Sequence, residues 1–269
     1  MSDNETKQTF WEHLDVLRGA LIKIIVVAIL FGVLAFCFKE ILFEIVLAPK
    51  YSDFITYDII NRISSFVGSP ANEFSIQLIN TSLAQQFIIH MKTALYAGIL
   101  CVSPYILYQL MRFISPALYE DEKSYVYKVV GLGYVMFIVG VLLSYFLIFP
   151  LTFRFLGTYQ VSGDVANMIS LESYISTLMG MNLMMGLVFE LPIICWLFAK
   201  LGFLTADFMK NYRKHAVVLI LIIAAIITPT SDVFTLSLGS FPMWLLYEIS
   251  IKVFGIVCRE DGIWYIVFL

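Results

Sequence analysis

Of the chain's 269 residues, 60% are hydrophobic and only 14% charged, and the mean hydropathy is +0.88; soluble domains carry about 25% charged residues, so this composition excludes a soluble globular protein and describes an integral membrane one. The net charge is −3 and the 17 basic residues form no patch interleaved with aromatics, which excludes a nucleic-acid partner. Four cysteines, Cys37, Cys101, Cys195 and Cys258, stand far apart and mostly in apolar runs; they read as small buried hydrophobes, and neither a metal nor a cofactor is expected.

The chain opens on polar MSDNETKQT, and no small-residue cleavage site follows the first apolar run, so no removable signal peptide is expected. Residues 1–20 read as a cytoplasmic amphipathic segment, with Phe10, Leu14, Leu17 and Leu21 at helical spacing. Four runs, 21–38, 87–110, 125–149 and 174–198, are long enough as helix to cross a hydrocarbon core of about 30 Å. The long segment 39–86 between the first two is mixed, with a Gly68-Ser69-Pro70 break, and reads as a folded or interfacial cap. Beyond the polar DFMKNYRKH, runs 216–228 and 234–254 form a short hairpin, the fifth run needing a thinned bilayer or sheltered ends. The fold predicted is an all-α integral membrane protein whose domain, 21–254, crosses six times, followed by a cytoplasmic tail, 255–269. That tail's GIWYIVFL is too short to span, although Trp264 and Tyr265 suit an interface.

An even number of crossings puts both termini on one side. Twelve Lys and Arg residues then share the N-terminal side, against Lys39, Lys50, Arg62 and Arg154 on the other, with Lys92 inside a span. Positive charge marks the cytoplasmic side, so the orientation expected is N-in and C-in. No sequence repeat relates the two halves, which weighs against an inverted-repeat transporter.

Two sets of polar residues stand out. Within MMGLVFELPIICWLF, Glu190 is the costliest placement, since an acidic residue at a membrane helix centre costs roughly 2.5–3.5 kcal/mol. Asn182, Gly186 and Glu190 follow at i, i+4 and i+8, a polar and small stripe suited to another helix, and Pro192 breaks the backbone ladder just beyond. One reading is a docking point for a partner span; another is a carboxyl buried against a helix of this same chain; a third is a proton-coupled small-solute transporter. Only Lys92 and Glu248 are other charges well inside spans, too few stations for a relay. The second set faces the cytoplasm: Glu120, Asp121 and Glu122 before span three, and Glu12, Asp15 and Arg18 before span one. Carboxylates there can hold guanidinium groups bidentately, or can complement helix N-termini. Glu12 also completes a Thr9-x-x-Glu12 capping box, and Asp15 can pair with Arg18. Neither H-E-x-x-H, G-x-S-x-G nor a histidine cluster occurs among three histidines, so no catalytic residue is assigned and no enzyme is expected.

Three segments resemble the TatC family, the polytopic core of the twin-arginine protein translocase: FWEHLDVLRGALI before span one, SPYILYQLMRFISPALYEDEK closing span two, and FELPIICWLFAKLGFLTADFMKNYRKHAVVLILIIAAIITPTSD with FPMWLLYEISI. The resemblance implies a glove-shaped concave bundle with short fifth and sixth spans in the bacterial cytoplasmic membrane. It also implies a receptor that binds the Arg-Arg motif of export signal peptides, assembles with single-span TatA and TatB partners and further copies of itself, and exports folded proteins on the proton-motive force. The family's signal-peptide acid falls on Glu122, beside Asp121, and its intramembrane glutamate, which engages a partner span, on Glu190. Pro49 matches a proline of the first external loop and Asp232 the last external turn, although TPTSD is one residue longer than the TPPD form of that turn. Where the family shows an acid two residues before Arg18, this chain has Val16; Glu12, one turn earlier on the same face, and the adjacent Asp15 are both candidates to replace it.

Overall fold

The computed structural model describes residues 10–66, 76–114, 126–160, 162, 167–200, 206–228 and 232–267. Nearly all of them are helical. The chain runs through α1 (Phe10–Cys37), α2 (Lys39–Leu47), a 3-10 turn (Ala48–Lys50), α3 (Ile55–Phe66), β1 (Leu78–Ile79), α4 (Gln85–Ile114) and α5 (Val126–Leu143). A π-helical turn (Ser144–Ile148) leads into α6 (Phe149–Thr158). Then follow β2 (Ile169–Ser170), α7 (Leu171–Phe189), α8 (Leu191–Lys200), α9 (Ala206–Asn211), α10 (Arg213–Ile227) and α11 (Val233–Val267).

Four stretches are long and apolar enough to cross a membrane: Leu14–Cys37, Gln85–Phe113, Val129–Thr158 and Leu171–Phe198. Each overlaps one of the four longer runs of the sequence, with ends that differ by up to nine residues. Residues expected as a separate N-terminal segment are continuous with span one from Phe10 onward. Likewise α11 does not end near residue 254 but continues to Val267. The described residues of segment 39–86 include α2, the 3-10 turn, α3 and β1, and β1 pairs in parallel with β2, Leu78 opposite Ile169 and Ile79 opposite Ser170.

The chain forms two compact units. In the first, residues 1–39 and 90–134, α1 meets α4 through small residues. A Cβ added to Gly98 would lie 2.6 Å from the Gly32 nitrogen and 2.8 Å from the Ala28 carbonyl, so the two backbones nearly touch. Ala28 and Gly32 on α1, with Ala94 and Gly98 on α4, repeat at one-turn spacing, which lets helices approach in lipid. Phe36 stacks on His90 at 4.0 Å beside this crossing. Elsewhere on α1, Ile25, Val26, Leu30 and Val33 are more than half exposed, the lipid-facing surface such a span requires.

The second unit, residues 40–89 and 135–269, is organised around α7. Tyr174, Ile175, Leu178, Met181 and Met185 are each 2% exposed or less, and their neighbours Ile148, Phe149, Phe153 and Met243 come from α6, its π turn and α11.

Prolines explain several local features. Pro104 has no N–H to offer the carbonyl of Leu100, which instead accepts the Ser103 hydroxyl at 2.7 Å. Pro150 likewise deprives the carbonyl of Phe146, which accepts the Thr56 hydroxyl. That deficit falls in the π turn, where the Phe149 N–H bonds five residues back to Ser144.

Candidate functional site

Pro192 determines the geometry around Glu190. Without a proline N–H the carbonyl of Val188 lacks its helical partner, so α7 ends at Phe189 and α8 begins at Leu191. Glu190 lies in the break with φ −78° and ψ −11°; its N–H is shared between the carbonyls of Leu187 and Val188, and its carbonyl accepts from Ile193 and Ile194. The side chain is 6% exposed, and one carboxyl oxygen, Oε1, has no hydrogen-bond partner among the described residues. A buried carboxyl short of a partner is costly, and a donor that reaches it lowers the cost.

Two turns earlier, Asn182 is 4% exposed, and its carbonyl oxygen is also without a partner. Gly186, between them, faces span three of this chain: a Cβ there would lie 2.7 Å from the Phe137 ring and 3.0 Å from Val141. Gly140 of α5 reciprocates, its Cβ position falling 2.7 Å from the Met185 carbonyl and 2.8 Å from the Phe189 ring. The stripe seen in the sequence is therefore divided: Gly186 is spent on contact within the chain, and only Glu190 stands at a break in the backbone.

Among the acids expected to face the cytoplasm, Glu120, Asp121 and Glu122 lie outside the described residues, as does the Glu12 side chain, although Glu12 stands in the first turn of α1. Asp15 and Arg18 are both exposed on α1, and no ion pair joins them. Glu248, which the sequence left as a lone charge in the run expected as span six, pairs with Arg213 at 3.1 Å.

Pro49 and Asp232 have defined local work. Pro49 is buried, and its carbonyl accepts the Tyr57 hydroxyl at 2.9 Å; the same hydroxyl reaches the carbonyl of Pro150 at 3.1 Å. Asp232 caps α11, its carboxylate accepting the Thr235 N–H at 2.9 Å and the Thr235 hydroxyl at 2.6 Å. Tyr57 was not singled out from the sequence. Burial pushes its phenol above the ordinary value, with the nearby Arg154 guanidinium opposing the shift.

A family model described as Sec-independent protein translocase protein (TatC) matches residues 12–242. The Sec-independent protein translocase protein TatC of Blattabacterium sp. subsp. Periplaneta americana is 31% identical over 97% of this chain and 100% of its own length. The protein of the same description from Desulforapulum autotrophicum is 34% identical over 95% of this chain and 88% of its own. Two crystal structures of the twin arginine translocase receptor TatC superpose with TM-scores of 0.72 and 0.74, at 33% and 32% identity, covering 91% and 90% of this chain and 99% of each solved one.

Proposed function

Since the chain belongs to the TatC family and is a multi-pass component of the Sec-independent protein translocase, we propose that it is the receptor that binds twin-arginine signal peptides and gathers single-span partners around Glu190. In this reading the protein lies in the bacterial cytoplasmic membrane with both termini inside. Helices α10 and α11 complete six crossings, in keeping with the Lys and Arg bias. Glu122 and Asp121 hold the paired guanidinium groups, with Glu12, Asp15 and Arg18 at the same face. The exposure of Asp15 and Arg18, with no ion pair between them, supports their availability to a peptide. Partners of the TatA and TatB type then insert a polar side chain toward Glu190, other copies of the chain join, and the proton-motive force drives export of folded cargo.

The observation that carries the reading is the Glu190 carboxyl, buried in a helix break with an oxygen unpartnered. A donor from an arriving span would satisfy it. Asn182 and Gly186 contribute by shaping the α7 face that ends at this break. Family membership sets aside the solute-transporter reading of the same glutamate.

Site-specific photocrosslinking tests this. A probe at position 122 should capture an Arg-Arg signal peptide, and one at 190 a single-span partner. Glu122→Ala should weaken peptide binding more than tenfold, because charge-assisted hydrogen bonds contribute about 1.5–3 kcal/mol. A Lys-Lys peptide should bind worse than Arg-Arg, since ammonium lacks the planar fork. Unchanged peptide capture by Glu122→Ala would remove that residue from the site.

A further inference from the structure

Several hydroxyl groups in the described helices of this protein share one pattern. Ser103, Thr158, Thr228, Ser237, Ser240 and Ser250 each turn back onto a carbonyl three or four residues earlier, the usual refuge for a helical hydroxyl in an apolar setting. Ser144 and Thr152 do not. Both are almost wholly buried, at 0% and 1% exposed, and neither hydroxyl has a hydrogen-bond partner among the described residues.

Their positions are related. The mutual contacts of Gly140 and Gly186 fix how span three (α5, the π turn and α6) lies antiparallel to α7. Ser144 is one turn beyond Gly140, and Asn182 one turn before Gly186, so helical spacing puts Ser144 and Asn182 on facing sides at the same level. Two turns further along span three, Thr152 lines a cavity of about 350 Å³ with Asn167, Ser173, Tyr174 and Thr177, where α6 gives way to α7. Three buried polar atoms without partners, Thr152 Oγ1, Ser144 Oγ and Asn182 Oδ1, thus follow one interhelical seam from that cavity toward the middle of the spans.

We infer that this seam is a water-binding track, entered from the cavity at Thr152 and ending at Asn182. Buried polar groups lacking protein partners are the usual hosts of internal water, which needs polar neighbours and room. The cavity holds several molecules at about 30 Å³ each. Beyond Asn182 the track closes, because the Gly186 backbone is pressed against Phe137 and Val141 with no space for even a methyl group. Water reaching Asn182 is thereby kept from Glu190, whose carboxyl remains for its own partner. The placement rests on contacts within the chain and not on the signal-peptide or partner reading.

The test is exchange of the Asn182 side-chain amide with D2O, followed by NMR on the full chain labelled with 15N-asparagine, with Asn182→Leu assigning the signal. No signal peptide or partner is present, so the outcome is separable from that of the crosslinking. The native amide should exchange within minutes, and the double variant Ser144→Ala, Thr152→Val should slow it about tenfold or more, as expected when a wet site is dried. An amide protected for days in the native chain overturns the inference, and so does an unchanged rate in the variant. Should the double variant fail to fold, Thr152→Val alone, which keeps the side-chain volume at the mouth, decides by the same criterion.

Discussion

Tyr57 shows how much one hydroxyl can tie together. Its O–H donates toward the carbonyls of Pro49 and Pro150, and its ring lies under the Arg154 guanidinium at 5.9 Å. Tyr57→Phe keeps the ring and strands both carbonyls, so it should cost about 1–3 kcal/mol, read as a lowered midpoint in thermal unfolding. A pH signature separates this from a general packing loss. The folded-state phenol is raised above its unfolded value of about 10, so the contribution is complete below that pH and declines as pH rises above it. Stability of the native chain should fall above pH 10 more steeply than that of Tyr57→Phe. None of this was legible in the sequence, because the acceptors are backbone carbonyls, which carry no residue identity, and one lies 93 positions away. Asp232 differs: the sequence placed it in a turn, and the structure shows that its carboxylate caps α11.

The four longer spans were legible because lipid imposes length and hydropathy on each one separately. Helix ends were less so, since hydropathy reports where lipid stops and not where the backbone ladder stops; α1 begins and α11 ends beyond their apolar runs. The break at Glu190 could be foreseen from Pro192, whereas the π turn could not. Its freed Phe146 carbonyl is satisfied from α3, a contact no local pattern encodes. At the crossing of α1 and α4 the deciding property is the absence of side chains. Gly98→Leu should force the helices apart and destabilise the protein by about 1–3 kcal/mol or more. Gly131→Ala, with nothing within 4 Å of its Cβ position, should not lower the unfolding midpoint and should raise it slightly, since Ala favours helix over Gly by about 0.5–1 kcal/mol.

At the scale of the molecule, the charge distribution gave an orientation, and it can be checked. In a cysteine-free background, Leu83→Cys in the fully exposed turn before α4 should react with an impermeant maleimide added to intact cells. Lys214→Cys should react only after permeabilisation; the reverse pattern would invert the proposed topology. Function also divides at this scale. Glu190→Ala should keep signal-peptide binding while partner crosslinking and export fall by about tenfold or more, the loss expected when a buried charged hydrogen bond goes unmade. Family membership was readable from three segments because they combine charge, proline and aromatic positions across the whole chain. The acids at 120–122 were readable only as residue types, since what distinguishes a guanidinium clamp from a helix cap is the ligand that arrives.

The two-residue ladder between β1 and β2 sets a schedule for biosynthesis. Leu78 waits for Ile169, 91 positions later, and at about 5–20 residues per second a ribosome takes roughly 5–20 s to supply it. Thr56 and Tyr57 likewise wait for Phe146 and Pro150. The nascent cap therefore emerges long before its fastenings exist. A slowed ribosome, or a third span inserted late, would leave α2 and α3 unclasped and open to proteases at the membrane surface.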